Sequence, residues 1–402
     1  MTDLTPSAAL ARVAPSPTMA VTQKARDLRA GGRDVMALAA GEPDFDTPEH
    51  VKDAAIDAIR RGETGYTAVD GIPELKQAVA AKFARDNDLS YDPSTEIVVT
   101  PGGKYLIYAA MLATLDPGDE VVIPAPYWVS YPDMVKLAGG TPVIAETTQE
   151  EGYVLTPEKL DAAITERTRW VILNSPSNPT GVVYGPDATA ALAEVLERHP
   201  HVWVLTDDMY EHVLYDAAFA TIANVAPSLQ GRTLTMNGAS KAYAMTGWRI
   251  GYGGMPKALA DMLRKVAGQT TSNPCSVSQW ASVAALNGDH GFLAERNAAF
   301  RARRDEVHAA LTGIEGITCP LPEGAFYLYP SVAGLIGKRR EGRVIEDDIG
   351  FAEALLDAEA VAVVPGTAFG SSPAFRLSYA TDIETLREAC RRIERFCASL
   401  EG

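Results

Sequence analysis

The chain has 402 residues, a prior of two to three domains at roughly 150 residues each, and its 36 Lys and Arg against 52 Asp and Glu leave a net charge of −16. That balance repels polyanions such as nucleic acids and anionic membrane surfaces, so an anionic ligand has to meet a local cationic site. Hydrophobic residues at 47%, charged residues at 22% and no apolar run near the roughly 18 residues of a membrane span exclude a disordered or membrane-embedded chain.

The N-terminus, MTDLTPSAALARV, has neither a basic opening nor a continuous apolar stretch, so no secretory signal is expected. Cys275, Cys319, Cys390 and Cys397 include no C-x-x-C pair and are too few to staple so long a chain, which points to a reducing cytoplasm. Thr47-Pro48 suits a helix N-cap followed by proline at the first helical position, and Val51, Ala54, Ala55, Ala58 and Ile59 keep helical spacing up to Gly62. Pro73 opens a second helix with Leu75, Ala78, Val79 and Ala81 to Phe83 on its apolar face, closed by Asn87 and Asp88.

Short apolar runs then alternate with helical ones: Glu96–Thr100, Glu120–Pro124, Trp170–Asn174, Val202–Thr206 and Thr233–Met236. Most are continuous rather than alternating, the mark of strands buried on both faces of a largely parallel sheet, and an open α/β architecture follows. In such sheets ligands collect at the carboxyl ends of strands, and Gly102-Gly103-Lys104, Tyr127-Trp128, Asn178, Asp207 and Lys241 all follow those runs. Beyond about residue 295 a long charged helix, Glu295–Leu311, precedes strand-like AFYLYP and FRLSYA segments, which suggests a smaller α+β domain. The division expected is 47–295 for a large domain and 1–46 with 296–402 for a small one. The basic stretch KRREGR, residues 338–343, reads as a solvated loop.

Several residues are of types that carry chemistry. Ser240-Lys241 follows a buried-type strand, and Arg249 comes eight residues later. A lysine there pays desolvation unless it is used; with a lowered pKa it is an amine nucleophile toward an aldehyde, and the arginine can clamp a phosphate. A surface lysine and a packing arginine are the competing reading. Asp207 ends the VWVLT run and Tyr210 follows three residues later, so a buried carboxylate can face a protonated pyridine nitrogen while the phenol bonds a ring oxygen. A helix N-cap plus a core tyrosine is the alternative.

Thr100-Pro101-Gly102-Gly103-Lys104 is a strand-to-helix turn without side chains to block a phosphate from its amides, or else merely a tight turn. It matches neither the P-loop nor the G-x-G-x-x-G fingerprint. Asn178 in NSPSNPTG can donate to a ring oxygen and Trp128 in PYWVSY can stack on a ring, against an Asx turn and a core indole. Arg376, in strand-like surroundings, matches the fork of a carboxylate, against a structural ion pair.

In this order, LAAGEPDF, GYTAVDGIPELK, TPGGK, PYWVSYPDM, NSPSNPTG, TDDMYEH, SKAYAMTGWRIGY, VVPGTAFG and FRLSYA resemble the class I aminotransferases, from about Ser16 to the C-terminal helix. NPTG or SK alone is unspecific; the ordered set is highly specific. The sequence is most similar to the bacterial aspartate aminotransferases of the subgroup that often accepts prephenate as well. The resemblance implies fold type I of the pyridoxal-phosphate-dependent transferases: a mixed, mostly parallel sheet flanked by helices, plus a smaller α+β domain. It implies that Lys241 holds pyridoxal 5′-phosphate as a Schiff base and shuttles the proton, while Asp207 keeps the pyridine nitrogen protonated and the ring an electron sink.

By the same resemblance Tyr210 and Asn178 would bond the ring 3-oxygen, Trp128 would stack on the ring, and Gly103, Lys104, Ser240 and Arg249 would surround the phosphate. Tyr66 would reach the phosphate of the neighbouring subunit in a homodimer with its sites at the interface. Arg376 would grip the substrate α-carboxylate with Gly41 and Asn178, while Lys104 and Thr18 would take the distal carboxylate; no metal is expected. Two departures stand out. Gly238, after Asn237, replaces a serine that many relatives carry, and Pro17 in Ser16-Pro17-Thr18 replaces a common alanine and stiffens that segment.

The expected reaction is ping-pong transfer of the amino group of L-aspartate to 2-oxoglutarate, with prephenate as a further acceptor giving arogenate. An aminotransferase or lyase for aromatic or aliphatic amino acids is the alternative on the same cofactor. A transcriptional sensor is disfavoured by the lack of room for a DNA-binding domain and by the charge of −16, and a nicotinamide dehydrogenase by the missing glycine fingerprint.

Overall fold

The computed structural model describes residues 4–15 and 17–402, so Ser16 of the Ser16-Pro17-Thr18 reading lies outside the described residues. In chain order it forms α1 (Pro17–Ala30), β1 (Met36–Ala37), α2 (Glu49–Arg60), α3 (Pro73–Asn87), β2 (Ile97–Thr100), α4 (Gly103–Thr114), β3 (Glu120–Ala125), α5 (Tyr131–Leu137), β4 (Thr141–Glu146) and α6 (Pro157–Ala163). There follow β5 (Thr168–Asn174), α7 (Pro186–Arg198), β6 (Trp203–Asp207), α8 (Ile222–Val225), β7 (Thr233–Gly238), β8 (Gly251–Gly254), α9 (Lys257–Thr270), α10 (Ser276–Asn287) and α11 (Phe292–Thr312). The last part contains β9 (Tyr327–Leu328), β10 (Arg339–Arg340), β11 (Arg343–Val344), α12 (Asp348–Glu359), β12 (Val361–Ala362), β13 (Val364–Pro365), β14 (Phe375–Ser378) and α13 (Ile383–Ala398).

Seven strands make one sheet in the order β2-β8-β7-β6-β5-β3-β4. Only β8 runs antiparallel to its neighbours; the rest of the ladder is parallel. The continuous apolar runs are explained by burial on both faces. Val121, Ile123, Trp170, Ile172, Leu205 and Leu234 pack on one side with α4 and α9, and Val122, Val171, Leu173 and Val204 pack on the other with α7.

Two strands of this sheet carry no such signal. β4, at an edge, is only half-buried and holds Pro142, so it lacks the apolar run of a central strand. β8 reads GYGG, with no intrinsic strand preference. Its glycines are steric requirements. A Cβ on Gly251 would lie 2.5 Å from the Gly102 carbonyl carbon and 2.6 Å from the Gly103 Cα, and one on Gly254 would run into the Tyr91 ring, 2.5 Å from its Cδ2.

A second set of elements holds the antiparallel sheet β13-β14-β9 and the parallel pair β1-β12, in which Met36 lies opposite Val361. α11, α12 and α13 cover a core that includes Phe300, Phe326, Phe351, Leu355, Phe375 and Phe396. The 338–343 stretch forms the short, largely exposed hairpin β10-β11. Among the described residues no helix is long and apolar enough to cross a membrane.

The start of α2 differs from the sequence expectation. The cap position is Pro48, and the Thr47 hydroxyl instead donates to the Ala244 carbonyl at 2.7 Å and accepts from Trp248 Nε1 at 3.1 Å. That hydroxyl ties the entry of α2 to the loop beyond Lys241, a buried use that outcompetes capping of an exposed helix end.

The contact between β8 and the turn before α4 yields a test. Gly251→Ala forces a methyl group into the 102–103 backbone and should destabilise the protein by about 3 kcal/mol, the upper end for overpacking because backbone cannot rotate away. Gly231→Ala, at a position with open space, should shift the urea midpoint very little. Equal midpoints for the two variants would contradict the packing described.

Candidate active site

β5 and β6 run parallel with Asn174 opposite Asp207, so the polar ends of two buried strands lie side by side. Here, where an open α/β sheet collects its ligands, a cleft of about 380 Å³ opens. Thr18, Gly41, Gly103, Lys104, Trp128, Asn178, Asp207, Tyr210, Ser240, Lys241, Arg249 and Arg376 all line it. Tyr66 does not; its side chain stands 94% exposed, away from the cleft.

Asp207 is 5% exposed, and its carboxylate accepts from the Tyr131 hydroxyl at 2.6 Å and the Met209 amide at 3.3 Å. Burial raises its pKa to about 6, with those hydrogen bonds and the Lys241 charge pulling the other way. A turn rather than a helix follows β6, so Asp207 caps nothing. Asp208 faces the opposite side, where Thr206 donates to it, and only Asp207 of the pair enters the cleft.

Lys241 follows β7 and its Nζ donates to the Gly41 carbonyl. Burial, reinforced by the Arg376 charge, lowers its pKa to about 8. Nζ also lies 5.8 Å from the centre of the Tyr210 ring. The Tyr210 hydroxyl pairs with that of Tyr327 at 2.8 Å.

Arg376, from β14, is 2% exposed. It donates to Asn178 Oδ1 at 2.9 Å and to the Ala39 carbonyl at 2.7 Å, while its buried Nε has no partner. Among the described residues no carboxylate pairs with it, so the structural ion pair weighed from sequence is not what it makes there; the guanidinium packs instead on the rings of Tyr327 and Phe369, at 4.5 and 5.1 Å. Such a group is an available fork for a planar anion.

At the other side, α4 points its N-terminal end into the cleft with Gly103 and Lys104. Gly102 holds φ +93°, and a Cβ there would lie 2.9 Å from the Arg249 guanidinium carbon, so glycine keeps the space in which that group lies. Arg249 itself adopts a left-handed backbone, φ +56°, with Nη1 on the Thr246 carbonyl at 2.8 Å; strain of this kind gathers at functional sites. Lys104 Nζ lies 4.9 Å from the centre of the Trp128 ring, and burial together with Arg249 lowers its pKa. Gly238 has no room for a side chain, because a Cβ would meet Met209 Cε at 2.9 Å and the Ile250 carbonyl at 3.0 Å.

Sequence reasoning passed over Tyr131, Asn174, Tyr327 and Met209. Tyr131 lies within the PYWVSY segment, and Asn174 ends a buried strand and donates from Nδ2 to the Asp207 carbonyl at 2.8 Å. A polar residue ending a buried run was the available signal for Asn174; the partnership of Tyr131 with Asp207 spans 76 residues and had none. Together the cleft offers a nucleophilic amine, a buried carboxylate facing it, a buried guanidinium with no carboxylate partner among the described residues and a helix N-terminus with two further cations.

Residues 33–393 match the family model described as aminotransferase class I and II. The chain is 59% identical over 393 residues to the aspartate/prephenate aminotransferase of Cereibacter sphaeroides, covering 97% of this chain and 98% of that one. It is 53% identical over 397 residues to the aspartate aminotransferase of Rhizobium meliloti, covering 98% and 97%. The crystal structure of aspartate aminotransferase from Rhizobium meliloti superposes with a TM-score of 0.97 at 52% identity, over 99% of this chain and 100% of that one. Aspartate aminotransferase from Thermus thermophilus with maleate gives 0.92 at 44%, over 98% and 100%. With the family match and the relatives both extending over nearly its whole length, the chain belongs to the class I and II aminotransferases.

Proposed function

We propose that the protein moves the amino group of L-aspartate to 2-oxoglutarate in a ping-pong cycle on pyridoxal 5′-phosphate, with prephenate as a further acceptor. The observation that carries this reading is Lys241, its pKa lowered to about 8, in one cleft with the buried carboxylate of Asp207 and the buried guanidinium of Arg376, whose Nε has no partner among the described residues. The relatives named for aspartate and prephenate, at up to 59% identity, support the substrate class.

The donor set fits the cofactor: a buried anion for a ring nitrogen, an amine for an aldehyde, and a phosphate cradle at α4 that Gly102 keeps open. When bound, pyridoxal phosphate supplies an aldehyde for the amino group and a protonated ring that accepts the electron pair released at the substrate Cα. Asp207 would hold the proton on the ring nitrogen, Tyr210 and Asn178 would bond the 3-oxygen, and Trp128 would cover the ring. Gly103, Lys104, Ser240 and Arg249 would hold the phosphate. Arg376 orients the α-carboxylate with Asn178 and the Gly41 backbone, and Lys104 and Thr18 meet the distal carboxylate. With that group bound, Lys241 Nζ, as a neutral amine, would be the base that carries the proton at the substrate Cα.

The exposure of Tyr66, at 94%, suits a residue that completes the phosphate site of a second copy across a two-fold axis, so we assign a homodimer. The four free cysteines suit a reducing cytoplasm.

Mixing the cofactor-loaded protein with L-aspartate alone should convert the visible absorbance of the bound cofactor stoichiometrically to that of its amine form. An unchanged spectrum would remove aspartate as substrate. Lys241→Ala should abolish turnover. For Lys104→Ala, loss of one charged contact predicts a KM for aspartate raised roughly 10- to 100-fold with aromatic substrates little affected; equal losses for both classes would reassign Lys104 to the phosphate alone.

The protonation states give two further tests. The neutral amine is the nucleophile, so the rate at which the cofactor-free protein captures an aldehyde at Lys241 should rise with pH and level off above about 8; a rise continuing to the ordinary lysine value of 10.5 would contradict the assigned environment. Tyr131→Phe removes a hydrogen bond that opposes burial, so Asp207 should titrate above about 6. Cofactor affinity, measured by equilibrium titration, should then fall roughly tenfold.

A further inference from the structure

Behind the cleft the chain buries a second set of charges that the reaction does not use. Lys82 of α3 meets Glu211 of the turn after β6 in an ion pair whose side chains are 1% and 3% exposed. Lys82 Nζ also donates to Asn87 Oδ1 at 2.7 Å, and Asn87 Nδ2 donates to Glu211 Oε2 at 2.7 Å, which closes a triangle. Ligand atoms of Asp86, Glu211 and His212 lie within 4.8 Å of one another. The Lys82 ammonium, touching Glu211 and 4.0 Å from Asp86, and the Arg85 guanidinium, 2.7 Å from Asp86, balance the two carboxylates without a metal ion, so the group is neutralised from within.

Glu211 is the residue after Tyr210 and the fourth after Asp207, so the tie acts on the turn that presents both to the cleft. The same turn is held elsewhere through its backbone. Asn174 Nδ2 donates to the Asp207 carbonyl at 2.8 Å, Asn237 Nδ2 to that of Asp208 at 3.1 Å and Asn297 Nδ2 to that of His212 at 2.8 Å. α3 provides the grip on its outer face. Replacing a buried ion pair by apolar groups is often neutral for stability, whereas removing one partner is strongly destabilising. What such a pair contributes in addition is a fixed geometry.

We propose that the Lys82–Asn87–Glu211 triangle is a positioning device for the cofactor site, fixing turn 207–212 from behind so that Asp207 and Tyr210 keep their places opposite Lys241. The link to the cofactor rests on the proposed pyridoxal-phosphate reading. The fixing of the turn does not.

The test is the charge-neutral double variant Lys82→Met/Glu211→Gln, compared with the wild type in three measurements. Its thermal midpoint should stay close to that of the wild type, because no buried charge is left unpaired within the pair. In cofactor-free protein, backbone hydrogen exchange across 207–213 should accelerate about tenfold, and added pyridoxal phosphate should bind about tenfold more weakly with a displaced pH midpoint of its visible absorbance. A folded double variant with wild-type exchange, affinity and midpoint overturns the proposal. Should the double variant fail to fold, Asn87→Ala cuts two links, keeps the ion pair, and should move the same readings in the same direction; unchanged readings there overturn it too. Faster exchange in the variant, combined with a wild type that takes up no pyridoxal phosphate, would sink the cofactor reading and leave the fixing of the turn standing.

Discussion

A carboxylate whose only hydrogen-bond partners among the described residues are a phenol and an amide is an unstable thing to bury, and the architecture around Asp207 follows from that. Its exposure is 5%, its pKa is raised to about 6, and its hydrogen bonds to Tyr131 and Met209 only partly offset the lost water. The neighbouring cleft is arranged in the complementary sense, with a lysine short of its full basicity and a guanidinium whose Nε lacks a partner. On the proposed function, both would meet a ligand with an anionic end and a carbonyl carbon.

The sheet makes this possible by ending its buried strands together. Parallel strands packed on both faces leave no place for charged groups along their middles, where the polar residues are threonines such as Thr206 and Thr235, so charged and amide groups collect at the carboxyl ends: Asn174, Asp207 and, after β7, Lys241 beside Ser240. The glycines of β8 and of the turn at 102–103 let backbone approach backbone, which brings the start of α4 beside the same strand ends. A chain of net charge −16 thus holds Lys104, Lys241, Arg249 and Arg376 around one cleft, an electropositive site within an acidic surface. The charged triangle behind turn 207–212 belongs to the same logic: groups that must meet a ligand at fixed distances stand on a segment held from both sides.

Much of this was legible because local chemistry and tertiary need coincide. The runs around Val121, Val171 and Val204 could only be doubly buried strands, and the α3 boundary at Asp88 follows from a residue that takes the left-handed cap. β4 and β8 were illegible for the opposite reason. An edge strand is not obliged to be apolar, and GYGG is a strand only because neighbouring backbone and the Tyr91 ring leave no room for side chains. Thr47 shows the same conflict at one atom, since its hydroxyl satisfies the Ala244 carbonyl instead of the end of α2.

By itself the sequence determined the α/β character, the residue types that line the cleft and their order along the chain, because burial and strand-end chemistry are written in local pattern. Only the tertiary structure decided which partners those residues have. Tyr131 reaches Asp207 across 76 residues, Asn178 receives Arg376 across 198, and Tyr66, from an equally suggestive motif, points away from its own cleft. Hydrogen bonds between distant segments depend on how elements pack, and packing is a property of the whole chain rather than of any window within it.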